Sequence, residues 1–136
     1  MMTTGVTIMK IFHIFANHKW TGPADAALSL ALMLREKHEV VFMCSGVSSS
    51  QTNFMKEKAD DYGIPVIVNK SLRKHLDPFT AFHAMRPVLH ILKHDQVDII
   101  HTHLVNDHLV TAAARWFSQS KIPLVRSYYE DSLTRS

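Results

Sequence analysis

The chain has 136 residues, of which 46% are hydrophobic and 20% charged, a composition that excludes a wholly disordered chain and a length that fits one domain. Its 15 Lys and Arg against 12 Asp and Glu leave a net charge of +3, and the bases are scattered, which argues against a nucleic-acid-binding surface. The single cysteine, Cys44, excludes an internal disulfide framework and a cysteine-rich zinc module.

The chain contains no candidate membrane-spanning segment, because no window approaches the roughly 18 consecutive apolar residues that a span needs. The first ten residues lack the basic region, long apolar run and cleavage site of a signal peptide. We therefore expect a cytoplasmic protein.

Short apolar runs rich in β-branched and aromatic residues alternate with longer amphipathic stretches. The short runs predict strands at residues 8–15, 39–44, 64–68, 97–101 and 122–127. The longer stretches predict helices at residues 23–37, 50–62, 78–94 and 106–118.

Several residues are placed where helix ends require them. Thr21 or Gly22 is expected to cap the first helix, Gly63 to end the second, and Asp77 to cap the third. Pro87 lies inside the third helix and predicts a kink there, or a division into two short helices.

Strict alternation of strands and helices predicts an α/β domain over residues 1–136, with a parallel sheet and helices on both faces. A Rossmann-like, doubly wound sheet with strand order 3-2-1-4-5 is the expected topology, and a flavodoxin-like order is the alternative. In a doubly wound sheet, ligands bind beyond the carboxyl ends of the strands where the winding reverses. The polar segments 17–22, 101–108 and 128–131 are predicted to meet there.

The first of these segments ends at a predicted helix start, Thr21-Gly22-Pro23. Free backbone N–H groups and the helix dipole favour an anion at such a position, and a glycine lets a phosphate approach the backbone. An ordinary turn and cap is the alternative interpretation. The chain has neither G-x-G-x-x-G nor G-x-x-x-x-G-K-[ST], which argues against a Rossmann dehydrogenase and a P-loop ATPase.

Histidines are unusually frequent, at 10 of 136 residues. His101, His103 and His108, with Asp107, could form a metal site, since His101 and His103 point to one side of a strand. No supporting carboxylate lies at a recognisable metal-ligand spacing, so we expect no metal. His103 is instead expected to be a hydrogen-bonding residue that faces the cleft from an exposed strand end. Five further histidines are expected to be solvated surface side chains: His38, His75, His83, His90 and His94.

A short basic loop follows the third strand and contains Lys70, Arg73 and Lys74. It could contact an anionic acceptor or the inner face of a membrane. A solvated loop is the competing interpretation.

Five ordered motifs resemble one family. The chain carries "KIFHIF" with a following Thr-Gly and an Ala/Leu-rich helix, "LREKHEV", "YGIPV", "DIIHTH" at residues 98–103, and "KIPLV". Together they resemble the N-terminal domain of GT-B glycosyltransferases of the family-4 type, and the resemblance spans nearly the whole chain.

The resemblance implies a retaining transferase that moves a sugar from a nucleotide-sugar to an acceptor (a glycan, a lipid-linked molecule or a small molecule), with no metal or other cofactor. The N-terminal domain of such enzymes receives the acceptor, and a C-terminal domain with an E-x7-E motif binds the nucleotide-sugar. By resemblance, Gly22 approaches the donor diphosphate and His103 is the catalytic histidine that reaches the transferred sugar. The remaining expected substrate-binding residues are Thr21, His18, Asn106, Tyr129 and Glu130.

Three departures from the family pattern bear on function. Thr21 replaces the first of two usual glycines, and Tyr129 stands where a histidine is usual, although tyrosine is a poor base near neutral pH. The 136 residues contain no E-x7-E segment, so we expect that the donor-binding half is absent and that the chain alone is inactive. A non-catalytic flavodoxin-like module that binds a small ligand in the same crevice is the alternative function.

Overall fold

Nine secondary-structure elements alternate along the chain in the computed structural model, which describes residues 7–72 and 77–127. The strands are β1 (Lys10–Phe15), β2 (Glu39–Ser45), β3 (Val66–Asn69), β4 (Ile99–Thr102) and β5 (Leu124–Arg126). The helices are α1 (Gly22–Arg35), α2 (Phe54–Asp61), α3 (Pro78–His94) and α4 (Val105–Ser118). All nine elements expected from the sequence are therefore present, with ends displaced by a few residues.

The five strands form one parallel sheet in the order β3-β2-β1-β4-β5. This confirms the doubly wound, Rossmann-like topology and excludes the flavodoxin-like order. The chain winds from β1 through β2 to β3 in one direction and then crosses back to β4, so the winding reverses between β1 and β4.

Two hydrophobic cores cover the two faces of the sheet, because alternate strand residues point to opposite sides. Phe15 and Phe42 pack with α1 and α2 in one core. Phe12, Ile14 and Met43 pack with α3 and α4 in the other. Cys44 is buried in the first core, and burial raises the pKa of its thiol to about 11, so it is a protonated core residue and not a nucleophile.

The predicted helix ends are confirmed by hydrogen bonds. Thr21 Oγ1 accepts from the Ala24 N–H at 3.2 Å, and Asp77 Oδ1 accepts from the Thr80 N–H at 2.8 Å. Gly63 follows α2 with a φ of +71°, a left-handed conformation that glycine adopts at little cost.

The third helix is continuous across Pro87, so its expected division into two helices is wrong. Proline removes one backbone hydrogen bond from a helix interior. Buried side chains on both sides of Pro87, including Met85 and Val88, attach the helix to the core and to α4. Tertiary packing thus outweighs the loss of the backbone hydrogen bond at Pro87. Within the described residues, no helix is both long enough and apolar enough to cross a membrane.

Candidate active site at the switch point of the sheet

The carboxyl ends of β1 and β4 lie side by side, which brings the segments that follow them together. The strands pair in parallel, with His13 opposite His101 and Ile14 opposite Thr102. The loop after β1 leads to α1, and the loop after β4 leads to α4. The crevice expected at this position is therefore built from the predicted segments 17–22 and 101–108.

Asp107 connects these two segments. Its side chain is fully buried in the first turn of α4, and its carboxylate accepts from the Ala16 N–H at 3.0 Å and the Leu104 N–H at 2.8 Å. Burial raises the pKa of this carboxyl to about 7, against the opposing effect of the backbone N–H groups. One carboxyl group thus fixes the end of β1 against the start of α4.

Three histidines form a cluster on one face of the sheet next to this junction. His13 comes from β1, His101 from β4, and His103 from the position just after β4. The rings of His101 and His103 stack with centroids 4.3 Å apart and planes 11° apart. The His13 ring lies 5.2 Å from that of His101 and 5.3 Å from that of His103. Nδ1 of His13 and Nε2 of His103 are hydrogen-bonded at 3.0 Å.

His103 does not lie at an exposed strand end, so that expectation is wrong: its side chain is only 1% exposed. The side chains of Phe15 and Phe42 lie beside His103, with ring centroids at 6.1 and 6.4 Å. Burial, followed by the proximity of His101 and His13, lowers the pKa of His103 to about 2. The ring is therefore neutral at physiological pH.

The histidine cluster is also the group of side chains that could hold a metal ion. His13, His101 and His103 each offer one ring nitrogen, all within 4.8 Å of one another. His108, a candidate in the sequence, is not in this group, and its Nδ1 is hydrogen-bonded to Thr102 Oγ1 at 2.9 Å. The lone pair of an imidazole lies in the ring plane, so nearly parallel stacked rings do not converge on one ion as a tetrahedral site requires. The arrangement fits a hydrogen-bonded stack better than a metal centre.

His18 lies in a separate pocket at the same edge of the sheet. A cavity of about 540 Å³ opens between the loop after β1 and the start of α2. Its lining residues are His18, Lys19, Trp20, Gln51, Thr52 and Phe54. The loop is attached to α2 because the Met55 N–H donates to the His18 carbonyl at 3.1 Å. Its volume lies in the range of small-molecule sites, and its lining combines aromatic and polar side chains.

Thr21 and Gly22 stand at the N-terminus of α1, as predicted. Gly22 is exposed, and no atom of the described chain lies within 4 Å of the position that a Cβ would take there. Packing within the chain therefore does not require glycine at this position, and the backbone is open to a ligand. The Thr21 hydroxyl already accepts from Ala24, so its remaining capacity toward a ligand is chiefly as a donor.

Asn106 does not line the pocket that contains His18. It faces a groove of about 300 Å³ between the starts of α3 and α4, beside Asp77 and Leu109. Four other candidates, Arg73, Lys74, Tyr129 and Glu130, lie outside the described residues. The structure thus places His103 next to the loop after β1, and it places Asn106 on the opposite side of the sheet.

Sequence analysis missed His13 as a site residue. The apolar pattern predicts a buried strand around it, and the histidine in "KIFHIF" is fully buried. The available signal was a histidine with two apolar residues on either side of it, in a strand expected to lie next to the one that carries His101 and His103.

Comparison with known protein families shows the family of this chain. A model described as Glycosyltransferase Family 4 matches residues 20–133, most of the chain. The chain belongs to glycosyltransferase family 4. The family resemblance predicted from the sequence motifs is thereby confirmed, and the chain is a glycosyltransferase-type N-terminal domain. A search of curated proteins found no significant match.

Solved structures with a similar fold include proteins much longer than this family-4 chain. MurG from Acinetobacter baumannii matches with a TM-score of 0.65 and 17% identity, over 87% of this chain and 33% of MurG. A putative UDP-N-acetylglucosamine 2-epimerase from Listeria monocytogenes matches with a TM-score of 0.65 and 16% identity, over 88% of this chain and 31% of the epimerase. This chain therefore spans about a third of the length of either protein.

A third structure is similar in size to this chain. The C-terminal domain of a hydrogenase from Pyrococcus furiosus matches with a TM-score of 0.60 and 15% identity, over 93% of this chain and 98% of that domain. At these identities the three likenesses establish a shared fold alone.

Proposed function

We propose that this family-4 domain is the acceptor-side half of a retaining glycosyltransferase that uses a nucleotide-sugar donor and no metal or other cofactor. The observation that carries the proposal is the junction of β1 and β4, where a family-4 chain brings His103 and the loop leading to the α1 N-terminus to one edge of its sheet. Ligands of doubly wound sheets bind at this edge.

The acceptor would occupy the cavity that His18, Trp20 and Phe54 line. Trp20 is partly buried and Phe54 is 48% exposed, so both offer apolar surface against which a sugar ring or lipid-linked group can pack. Gln51 and Thr52 supply side chains that can hydrogen-bond to hydroxyl groups. The pocket thus has the mixed lining that a carbohydrate acceptor needs.

The donor diphosphate would lie against the N-terminus of α1. Helix N-termini attract anions through free N–H groups and the helix dipole. Gly22 leaves its backbone open for this approach, and Thr21 can donate its hydroxyl hydrogen. In this arrangement the diphosphate and His103 approach the same transferred sugar from adjoining strand ends.

The purified 136-residue chain is expected to fold and to show no sugar transfer. Catalysis of this kind depends on orienting two substrates and stabilising the developing phosphate charge, and one side of a cleft supplies neither fully. The measurement is a release assay with a panel of nucleotide-sugars, with and without acceptor glycans or lipids. Robust turnover by the chain alone would contradict the proposal.

The genomic DNA downstream of Ser136 provides a matched test. An open reading frame that continues into an E-x7-E region, or a companion frame that encodes one, supports the transferase. A stop codon with no companion frame favours the alternative function, a non-catalytic ligand-binding module.

We further propose that the exposed face of α3 and the basic loop before it contact an anionic membrane surface. Phe79 and Phe82 are 72% and 65% exposed, and Arg86 is exposed on the same helix face, at i, i+3 and i+7. Exposed Lys70 precedes the helix, and the loop sequence adds Arg73 and Lys74. Aromatic side chains beside bases are typical of surfaces that bind acidic headgroups.

Vesicle binding tests this surface. We expect the chain to co-sediment with vesicles containing anionic phospholipid and not with zwitterionic ones, and F79S/F82S to weaken binding about tenfold through loss of apolar burial. Met33→Ser, on the exposed side of α1 and 71% exposed, is the matched control. Equal binding by F79S/F82S and the wild type would show that this face is simply solvated.

A further inference from the structure

The fourth helix is apolar on two opposite faces. Its inward face includes Val110 and Ala114, which are buried in the core shared with α3. Its outward face is a stripe of side chains at positions i, i+4, i+7 and i+11: Val105, Leu109, Ala112 and Trp116. Three of these, Val105, Leu109 and Trp116, are 57%, 58% and 74% exposed. A helix that is apolar all round is normally covered on both sides, so this stripe is a surface for a partner.

The stripe of α4 continues the exposed aromatic surface of α3. The two helices pack against each other on one face of the sheet. An apolar groove joins their outward sides, because Leu109 lines it together with Pro78 and Ala81. The outer surface of the two helices, the α3/α4 face, therefore contains six apolar side chains: Phe79, Phe82, Val105, Leu109, Ala112 and Trp116. A contiguous exposed patch of this kind marks an interaction site, whereas scattered apolar side chains do not.

The charges of the helices indicate which partner fits this face. Three bases lie on α3 and α4, namely Arg86, Lys93 and Arg115, and the one acidic residue within these helices, Asp107, is fully buried. The acidic residues Asp77 and Asp95 are confined to the two ends of α3.

The helices on the other side of the sheet have a different balance of charge. On α1 and α2, four exposed acidic residues accompany three exposed bases: Asp25, Glu57, Asp60, Asp61, Arg35, Lys56 and Lys58. The positive charge is thus concentrated on the side of the sheet that also presents the apolar patch. A second copy of the chain would bring like charges together, whereas anionic phospholipid would attract them.

We propose that the α3/α4 face lies flat on an anionic phospholipid bilayer, with Leu109 and Trp116 at the boundary between headgroups and acyl chains. This extends the membrane contact proposed for α3 and rests on it, and the added elements are the α4 stripe and the orientation. Because both helices lie along one face of the sheet, the sheet is parallel to the bilayer plane. The carboxyl ends of the strands then point along the membrane surface, and α1 and α2 face away from it.

The two tryptophans of the chain test this orientation, because they lie on opposite sides of the sheet. Trp116 belongs to the α3/α4 face, whereas Trp20 packs against the core that α1 and α2 cover. In Trp20→Phe, the remaining Trp116 fluorescence should shift to the blue on vesicles containing phosphatidylglycerol and be quenched by brominated acyl chains. In Trp116→Phe, the Trp20 fluorescence should not be quenched. Quenching of Trp20, or none of Trp116 in vesicle-bound protein, would overturn the orientation.

Substitution of the aliphatic residues of the stripe tests the contribution of α4. V105S/L109S should weaken co-sedimentation with these vesicles about tenfold, because apolar surface no longer enters the bilayer. Met33→Ser, on the exposed side of α1, is the matched control and should bind like the wild type. Circular dichroism and thermal unfolding verify that both variants are folded. Wild-type binding by V105S/L109S would overturn the role of α4.

A pair of charge reversals tests the sidedness of the electrostatic attraction. Lys93→Glu on α3 and Lys58→Glu on α2 each change the net charge from +3 to +1, since a negative charge replaces a positive one. Lys93→Glu should weaken vesicle binding about tenfold and Lys58→Glu should have little effect, because the attraction acts near the membrane surface. Equal effects of the two reversals would contradict the proposed orientation.

The outcomes separate this inference from the proposals on which it builds. If F79S/F82S weakens vesicle binding and V105S/L109S does not, the α3 contact stands and the extension to α4 fails. If the wild type binds no vesicles, both membrane proposals fail, and the proposed sugar transfer is unaffected. Sedimentation velocity provides the remaining comparison: a dimer of the wild type that V105S/L109S abolishes, without an effect on vesicle binding, would assign the stripe to a second copy of the chain.

Discussion

Replacement of His103 with alanine in the complete transferase is expected to reduce turnover by about ten- to a thousand-fold, the range for losing one well-placed transition-state contact. Stability should also fall, by about 2 kcal/mol or more, since the substitution empties a buried site and removes the hydrogen-bond partner of His13 Nδ1. Steady-state kinetics and chemical denaturation measure the two effects.

A second variant separates catalysis from folding at this position. His103→Gln retains a side-chain amide that can either donate to His13 or accept from it, so it should preserve more stability than alanine and still lose activity. His90→Ala, on the exposed side of α3, is the silent control. Full activity in His103→Gln would show that the imidazole has no catalytic role and that His103 is a structural core residue.

Acidification is expected to destabilise the domain through its buried histidines. Burial, followed by the proximity of His101, lowers the pKa of His13 to about 3 from an ordinary value of 6.5. Below pH 6.5 the unfolded state therefore binds a proton that the folded state excludes. The stabilisation is complete above pH 6.5 and is lost as the pH falls toward 3. By linkage, His13 accounts for a loss of about 2 kcal/mol between pH 8 and pH 5.

The experiment must separate His13 from the other buried groups nearby. His103 and His101 have pKa values shifted in the same direction as that of His13. Asp107 has a pKa raised to about 7 from 3.8, so it stabilises the folded state as the pH falls through that interval and partly offsets the histidines.

The decisive quantity is the difference in unfolding free energy between the wild type and His13→Phe, measured by urea titration at several pH values. This difference should shift by about 2 kcal/mol in favour of the variant from pH 8 to pH 5. A difference that does not vary with pH would mean that His13 has the same pKa in the folded and the unfolded chain.

The topology could be predicted from the sequence because apolar strand segments and amphipathic helix segments recur along it. Strands and helices alternate at regular spacing, and right-handed crossovers leave few orders for a five-stranded parallel sheet. The unbroken course of α3 across Pro87 could not be predicted in this way. A proline inside a helix predicts a break because it removes one backbone hydrogen bond. The continuity of α3 depends instead on buried side chains that pack into the core on both sides of Pro87.

The candidate site was only partly predictable, because its decisive contacts cross between strands. His101 and His103 were identified from their spacing within one strand. The neighbour of His103, His13, lies 90 residues earlier, and only the register that pairs His13 with His101 brings it into contact. His103 is buried beside rings of other strands, those of His13, Phe15 and Phe42, and hydrophobic patterning along a single strand does not predict such contacts.

The contact between Asp107 and the end of β1 has a consequence for how such domains diversify. The carboxylate binds backbone N–H groups at Ala16 and Leu104, and not their side chains. Every residue except proline supplies such a group. The anchor itself therefore places few demands on the side chains at these two positions, and a substitution at either one that keeps the backbone N–H leaves the contact in place.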